Sequence, residues 1–405
     1  MNSIVGAGIV GIPFAIARSG FFSGLFLLIF VAFLVDYGVR LLVKCGKEVG
    51  KNTYEDVCEH VYGKKGFYCV SVCMSIFAYG SMVAYLIIIG DTIPPIAEHA
   101  GITIFSNRND LILFVAIFFI LPLCLLRDMS SLAWSSLLSI LADAILIALV
   151  VIAAPQAAID TNIDTSASPY TFIEPTVFAG IASMSFAFIC HHSCFFVHSS
   201  MSNPTVKRWN TVTHLSITVA LLACSILGFS GYLNFRNEVE GDVLNNFPTV
   251  SVVPNIARAL LALTMILTYP MEMFVVRHAL HSILVRRTQP TVAPMSQTRH
   301  IVITLALWGT SVFLSLCFEN LGLVLELTGA IGASMLGYIL PSLIFFSLRS
   351  SQWKHVKLKW KRCSSEYEPN FHKRWQITTP FILPLIMTGF GFIVLVVGTI
   401  SAFMD

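Results

Sequence analysis

The sequence predicts an all-α polytopic membrane protein with about eleven transmembrane helices, and its composition and the length of its apolar runs carry this prediction. Of its 405 residues, 56% are apolar and only 12% are charged, whereas soluble domains contain about 45–50% apolar and about 25% charged residues. The mean hydropathy of +0.78 agrees. This composition excludes soluble enzymes and disordered or fibrous proteins, and a net charge of +3 gives no indication of nucleic acid binding.

The apolar residues form continuous runs of the length that crosses a bilayer, about 20 residues. Continuous rather than alternating runs favour helices over a membrane barrel. The runs lie at about 2–17, 21–43, 67–90, 110–126, 131–153, 176–198, 211–233, 251–276, 299–318, 321–347 and 377–402.

Lysine and arginine test this layout independently, because the cytosolic connections of membrane proteins carry an excess of both. If the first span runs outward, 21 of the 25 basic residues lie in inner connections and three in outer ones, while Arg258 lies within the eighth span. The longest inner connection, about 349–376, is basic and contains three tryptophans, as a segment on the membrane surface would. We therefore expect one transmembrane domain over residues 1–405.

The amino-terminal stretch 2–13 (NSIVGAGIVGIP) contains three glycines and a proline within eight residues. Its literal G-x-G-x-x-G pattern lacks the preceding strand that a dinucleotide site requires. A signal peptide is disfavoured because no basic residue precedes the apolar run and Pro13 interrupts it.

Two interpretations of this stretch remain open, and they are compatible. Ala7 and Gly11, four residues apart, would let another helix approach closely. Alternatively the helix is broken, and a break within the membrane lines a cavity or is buried in protein, where free N–H groups can hold a carboxylate. The density of glycine and proline favours the break.

The stretch NSIVGAGIVGIPFA also resembles the first-helix signature of the sodium-coupled neutral amino acid transporters, within the amino acid/auxin permease superfamily. Three further stretches agree with that family in order: 185–192 (SFAFICHH), 267–272 (LTYPME) and 323–329 (LVLELTG). The resemblance covers essentially the whole chain.

The resemblance implies a LeuT-type arrangement of two five-helix repeats of inverted topology plus one helix. The first repeat would cover about 1–153, the second about 176–347, and the extra helix about 377–402. The sequence departs from the family in two ways. The chain begins one residue before the family's asparagine, so we expect a truncated first helix. The sixth span has no Gly-Pro pair, so we expect a weaker break there than in the first, near Gly180, Ser183, Ser185 and Ala187.

In the family, substrate binds between the broken first and sixth helices. This implies substrate contacts from the backbone at Gly6, Ala7 and Gly8. Phe186 and Phe188 would border the pocket, although 31 phenylalanines in the chain make core packing or lipid contact the ordinary role of such a residue.

The family's ion site maps onto Asn2 and Thr268, and Thr264 lies four residues before Thr268 on the same helix face. Each has an ordinary alternative. Asn2 would cap the first helix, and a threonine within a membrane helix often bonds its own backbone.

Ionisable residues within spans are costly and usually functional. His191 is the candidate pH-sensitive group, and Glu326 is a candidate gate or proton site. Asp36 is expected to pair with Arg40, four residues on, and Glu272 is expected to reach the inner surface. Asp143 also lies within a span.

Together these features predict secondary active transport of small neutral amino acids, most simply driven by sodium. A proton-coupled transporter of the lysosome or vacuole and a sensor that binds amino acids without transporting them remain open. No catalytic motif is found, and a membrane enzyme built on the His191–His192 pair is the weakest alternative. We expect a monomer in the plasma membrane or the lysosomal or vacuolar membrane. Its partners would be amino acid and lipid, with no cofactor beyond sodium or a proton.

Overall fold

The computed structural model describes residues 6–99, 101, 107–126, 133–161, 163, 168–286, 295–349 and 371–404, except for the side chains of 133–136 and 371–380. These residues are helical apart from short turns and connections, and they contain no strand. Within the described residues, each predicted span is mostly helical.

The first five helices are α1 (Ala7–Val10 and Ile12–Ser19), α2 (Phe21–Val49), α3 (Tyr54–His99), α4 (Arg108–Val115, Ala116–Ile120 and Leu121–Cys124) and α5 (Ala133–Asp160). The next three are α6 (Val177–Phe188 and Cys194–Ser200), α7 (Val206–Phe235) and α8 (Val252–Arg286). The last three are α9 (Gln297–Cys317), α10 (Leu321–Thr328, Gly329–Ile339 and Leu340–Leu348) and α11 (Phe371–Ile393, Val394–Gly398 and Thr399–Met404).

Eight helices among the described residues are long and apolar enough to cross a membrane. The all-helical, polytopic fold is thus confirmed, while the count of eleven crossings and the inverted repeat stay predictions.

The ion pairs between connections agree with the predicted layout. Three of them join segments that the sequence places on one side of the membrane: Glu48–Arg349 (2.8 Å) and Glu59–Arg286 (2.6 Å) on the inner side, and Asp91–Arg108 (2.9 Å) on the outer side. The predicted pair Asp36–Arg40 is confirmed at 2.5 Å.

Gly63 divides α3 into two helices. Its backbone (φ 63°, ψ −157°) lies in a region that side chains disfavour. The short inner part, residues 54–62, is attached to α10 by two tyrosine hydroxyls. Tyr54 donates to the carbonyl of Leu336 at 2.9 Å, and Tyr62 donates to that of Leu343 at 2.8 Å.

Arg258 near the outer end of α8 organises the connection that follows α7. Its side chain is buried, and its guanidinium donates to the carbonyls of Leu244 (2.8 Å) and Phe247 (2.7 Å) and to Oδ1 of Asn255 (2.7 Å). Several charge-assisted bonds compensate the burial of this cation, so the sequence's one basic residue within a span has a structural role.

The centre of the molecule is formed where α1, α6 and α10 meet. The second segment of α1 lies along α6, and α6 lies along the segment Gly329–Ile339 of α10, which has π-helical hydrogen bonding. Gly329 allows the second contact, because a Cβ there would come within 1.9 Å of the Ala182 carbonyl oxygen. On the other side of the molecule, α8 packs against α3 and α5.

Candidate substrate and ion site

In the described residues, α1 begins at Ala7, with Gly6 in the N-cap position at φ −106° and ψ −137°. Gly11 interrupts the helix for a single residue, and Ala15 N–H still donates to the Gly11 carbonyl at 2.9 Å. The break in α1 is therefore slight from Gly6 onward. Gly6, Ala7 and Gly8 are all buried.

The sixth helix contains the larger interruption among the described residues. Its first segment ends at Phe188, Ile189 is extended (φ −67°, ψ 125°), and helix resumes only at Cys194. The expectation of a weak break near Gly180–Ala187 was wrong, since those residues lie within continuous helix. Gly180 serves close packing instead, because a Cβ there would come within 2.1 Å of Ser19 Oγ.

The α6 break is maintained by packing against α10 rather than by Gly-Pro chemistry. The Ile189 side chain occupies the space beside Gly337, where a Cβ would meet it at 2.2 Å. His191 is fully buried, and its Nε2 would lie 2.8 Å from a Cβ at Gly38. A sequence search for glycine and proline misses such a break because its cause lies on the neighbouring helices.

The structure brings the start of α1 against the end of the first α6 segment. A Cβ at Gly8 would come within 2.4 Å of the Ala187 Cα, so position 8 tolerates no side chain without movement. Gly8 is therefore packed closely against α6, and the backbone of Gly6 and Ala7 lies beside the same junction. The substrate contacts predicted for Gly6, Ala7 and Gly8 stay predictions.

Phe186 and Phe188 are both buried in the core, with Phe188 fully enclosed. The ring of Phe186 contacts that of Phe77 on α3, with centroids 5.4 Å apart. Phe186 thus lies at the α3–α6 junction, and the burial of Phe188 agrees with core packing. The contact of both residues with substrate stays a prediction.

The two threonines of the predicted ion site differ in their hydrogen bonds. Thr268 donates to the carbonyl of Thr264 at 2.7 Å, which is the backbone bond common in helices. Oγ1 of Thr264 is buried and has no hydrogen bond among the described residues. Asn2 lies outside the described residues, so its position beside them stays a prediction.

Of the two candidate proton groups, His191 lies in the α6 break and Glu326 on the first segment of α10. Both are buried, at 0% and 2% exposure. Neither ring nitrogen of His191 has a hydrogen bond among the described residues. The proton and gate roles of the two residues stay predictions.

A contact between α6 and α8, formed by His192 and Glu272, was not predicted from the sequence. Glu272 was expected to reach the inner surface, and this was wrong: it is 4% exposed and lies 3.4 Å from the Nε2 of His192. The spacing offered a signal, since Thr264, Thr268 and Glu272 recur every four residues and so share one helix face.

Asp143 on α5 is also buried, and Thr264 lies beside it. Tyr85 on α3 lies within electrostatic range of both Asp143 and Glu272. A polar cluster therefore joins α3, α5, α6 and α8 inside the membrane domain.

Comparison with known proteins agrees with this architecture. Residues 1–367 match the family described as "Transmembrane amino acid transporter protein". The chain belongs to this family. It is 33% identical over 414 residues to "Vacuolar amino acid transporter 2" of Saccharomyces cerevisiae, which covers 100% of this chain and 82% of the relative.

Two further relatives carry sodium in their names. "Putative sodium-coupled neutral amino acid transporter 11" of Danio rerio is 34% identical, over 87% of this chain and 78% of its own length. "Sodium-coupled neutral amino acid transporter 7" of Xenopus laevis is 26% identical, over 89% of this chain and 81% of its own length. The predicted family is confirmed, and the chain is a multi-pass membrane protein of an amino acid transporter family.

A cleft of about 340 Å³ lies beside the outer ends of α1 and α6. It is lined by Phe14, Ala17, Arg18, Glu174, Thr176, Asn237 and Val239. The guanidinium of Arg18 lies over the Phe14 ring, 4.9 Å from its centroid. The cleft combines charged and apolar surface at the outer ends of α1 and α6, away from the contact between Gly8 and Ala187.

Proposed function

We propose that this chain is a secondary active transporter of a small neutral amino acid, which binds where the start of α1 meets the α6 break. The observation that carries the proposal is the interruption at residues 189–193 beside the first turn of α1. Backbone groups released from two helices in the membrane core can hold both the carboxylate and the ammonium of an amino acid. The names of the relatives support the same substrate class.

The proposed coupling ion in its simplest form is sodium, bound by the Asn2 amide, the backbone near Ala7 and the α8 threonines. Thr264 supports this, because its buried Oγ1 lies beside the Asp143 carboxyl, and hard cations take oxygen ligands. The two relatives named as sodium-coupled also support it.

A second candidate is proton-coupled transport in a vacuolar or lysosomal membrane. The buried contact between His192 and Glu272 favours this candidate, as does the similarity to the vacuolar transporter. In either membrane we propose that the chain acts as a monomer.

Counterflow in proteoliposomes tests the proposed function without assuming an ion. Vesicles containing the purified chain are preloaded with unlabelled amino acids, and labelled amino acids are added outside one at a time. We expect one or more small neutral amino acids to exchange. Saturable binding without exchange would identify a sensor instead, and uptake under separate sodium and pH gradients would then assign the ion.

A further inference from the structure

The contact between His192 and Glu272 is unusual because two ionisable groups meet inside the membrane domain with few other partners. Both are almost fully buried, at 2% and 4% exposure, and the Nε2–Oε1 distance is 3.4 Å. Both ring nitrogens of His192 and the Oε2 of Glu272 have no hydrogen bond among the described residues. Buried polar atoms normally have partners, so this pair requires an explanation beyond packing.

The charge of the pair depends on a single proton. With one proton shared between the imidazole and the carboxylate, the pair is neutral as a unit. Without that proton it carries one negative charge, which is costly in a buried site and far less costly in water. The pair should therefore hold a proton while it is enclosed and release it when the site opens to water.

The groups facing the pair from other elements reinforce this preference. Tyr85 on α3 lies within electrostatic range of Glu272, and Asp143 on α5 lies within range of Tyr85. His191 adjoins His192. Arg277, the next cation along α8, donates to the carbonyl of Cys124 at 2.8 Å and to Thr304 Oγ1 at 2.9 Å.

The pair is also connected to the proposed substrate site through one aromatic ring. Phe77 on α3 contacts the ring of His192 at a centroid distance of 5.0 Å and that of Phe186 at 5.4 Å. Phe77 itself fills the space left by Gly332, where a Cβ would meet it at 2.9 Å. If the His192 ring moves when the proton is lost, it would displace Phe77. Phe77 would in turn displace Phe186, the residue proposed to border the amino acid.

We infer that His192 and Glu272 together bind a proton that moves with the amino acid in each transport cycle. This inference rests on the proposed function in its second, proton-coupled form and assigns the residues that bind the proton. The chemistry favours a proton over sodium at this position, because hard cations take several oxygen ligands and the pair offers one carboxylate and one imidazole. His192 lies in the α6 break and Glu272 lies on α8. A conformational change at the break would therefore alter the distance between the two groups that hold the proton.

The test uses the full chain in sodium-free proteoliposomes with the membrane voltage held at zero by potassium and valinomycin. A labelled mixture of the twenty amino acids reports counterflow at equal pH and accumulation under an imposed pH gradient. With one proton per substrate, one pH unit drives about tenfold accumulation at equilibrium. For Glu272→Gln and His192→Gln we expect counterflow to continue while gradient-driven accumulation falls to the level without a gradient.

Two matched variants control for the loss of a buried acid or histidine elsewhere. Glu55, on the short inner part of α3, and His198, whose ring lies 5.4 Å from that of Trp209, are 4% and 6% exposed and do not belong to the pair. Glu55→Gln and His198→Gln should therefore keep the pH-driven accumulation. If a variant of the pair fails to fold, the other one still decides the result.

The possible failures are distinguishable. Absence of counterflow in the unchanged chain both with and without sodium contradicts the proposed function. Counterflow that occurs only with sodium, counterflow with no response to pH, or pH-driven accumulation that survives in both Glu272→Gln and His192→Gln overturns the proton site alone. In a parallel assay with an imposed sodium gradient, loss of the sodium response in Glu272→Gln with an intact pH response also overturns it, in favour of sodium at Glu272.

Discussion

Gly8 on α1 and Ala187 on α6 touch backbone to backbone, so closely that a Cβ at position 8 would lie 2.4 Å from the Ala187 Cα and 2.6 Å from its Cβ. The obstacle is main chain rather than the flexible end of a side chain, and it cannot move without moving a helix. The junction on which the proposed substrate site depends is therefore set by the absence of one methyl group.

Gly8→Ala should destabilise the protein by about 1–3 kcal/mol, which is the usual cost of overpacking a core. We expect a lower melting temperature in detergent and weaker amino acid exchange. Gly309→Ala on α9 is the matched control, since no atom lies within 4 Å of a Cβ there. Alanine should raise or maintain the stability at that helical position. Equal melting temperatures for the two variants would show that α1 and α6 are not in contact at Gly8.

Thr264→Val should weaken the apparent affinity for sodium more than Thr268→Val does. The Thr268 hydroxyl already donates to the Thr264 carbonyl, whereas Oγ1 of Thr264 is not bonded to its own helix backbone and lies beside the carboxyl of Asp143. Removing an oxygen ligand should cost about 1 kcal/mol, or about fivefold in affinity. Sodium titration of uptake at saturating amino acid measures the effect. A larger loss of sodium affinity in Thr268→Val than in Thr264→Val would identify Thr268 as the principal ligand.

Asp242, in the connection between α7 and α8, should make stability depend on pH. Burial raises the pKa of Asp242 to about 7, whereas the usual value in an unfolded chain is about 4. Between about pH 4 and pH 7 the folded chain then binds a proton that the unfolded chain has released, so this group's contribution to the free energy of unfolding falls as pH rises.

Asp242→Asn should remove that contribution, which is on the order of a few kcal/mol. Melting curves from pH 5 to pH 8 compare the variant with the unchanged chain, and the stability gained by the variant should grow with pH. Glu238→Gln, at an exposed acid of the same connection, should follow the unchanged chain. Parallel curves for Asp242→Asn would mean that Asp242 titrates in the folded protein as it does in water.

The sidedness of the connections can be read from single cysteines. Cys317 at the end of α9 is exposed and lies on the predicted outer side, and Lys51 beyond α2 is exposed on the inner side. In sealed vesicles of one orientation, a charged maleimide should label either Cys317 or Lys51→Cys, with all other cysteines replaced, but not both. Labelling of both before the vesicles are lysed would refute the layout based on lysine and arginine.

The helices were predictable because the bilayer imposes its length and polarity on each span separately. Continuous apolar runs and the asymmetry of basic residues are local properties, and each predicted run is mostly helical where the structure describes it. Asp36–Arg40 was predictable for the same reason, since one turn of one helix determines the contact.

The site was less predictable because its features depend on contacts between helices. The α6 break depends on Ile189 and His191 fitting beside Gly337 and Gly38, and no pattern within the sixth span encodes that fit. Likewise Glu272 was assigned to the surface from its distance to Arg277 along the chain, although its nearest ionisable partner is 80 residues earlier, at His192.

The two tyrosine hydrogen bonds between α3 and α10 identify a position for a probe of α10 movement. Tyr54 and Tyr62 hold the short segment before Gly63 to the carbonyls of Leu336 and Leu343. Any displacement of α10 must carry this segment along or break both bonds. His60 is exposed on that segment, so a fluorescent label there would convert the motions of a buried helix into a signal at the membrane surface, without altering the transport path.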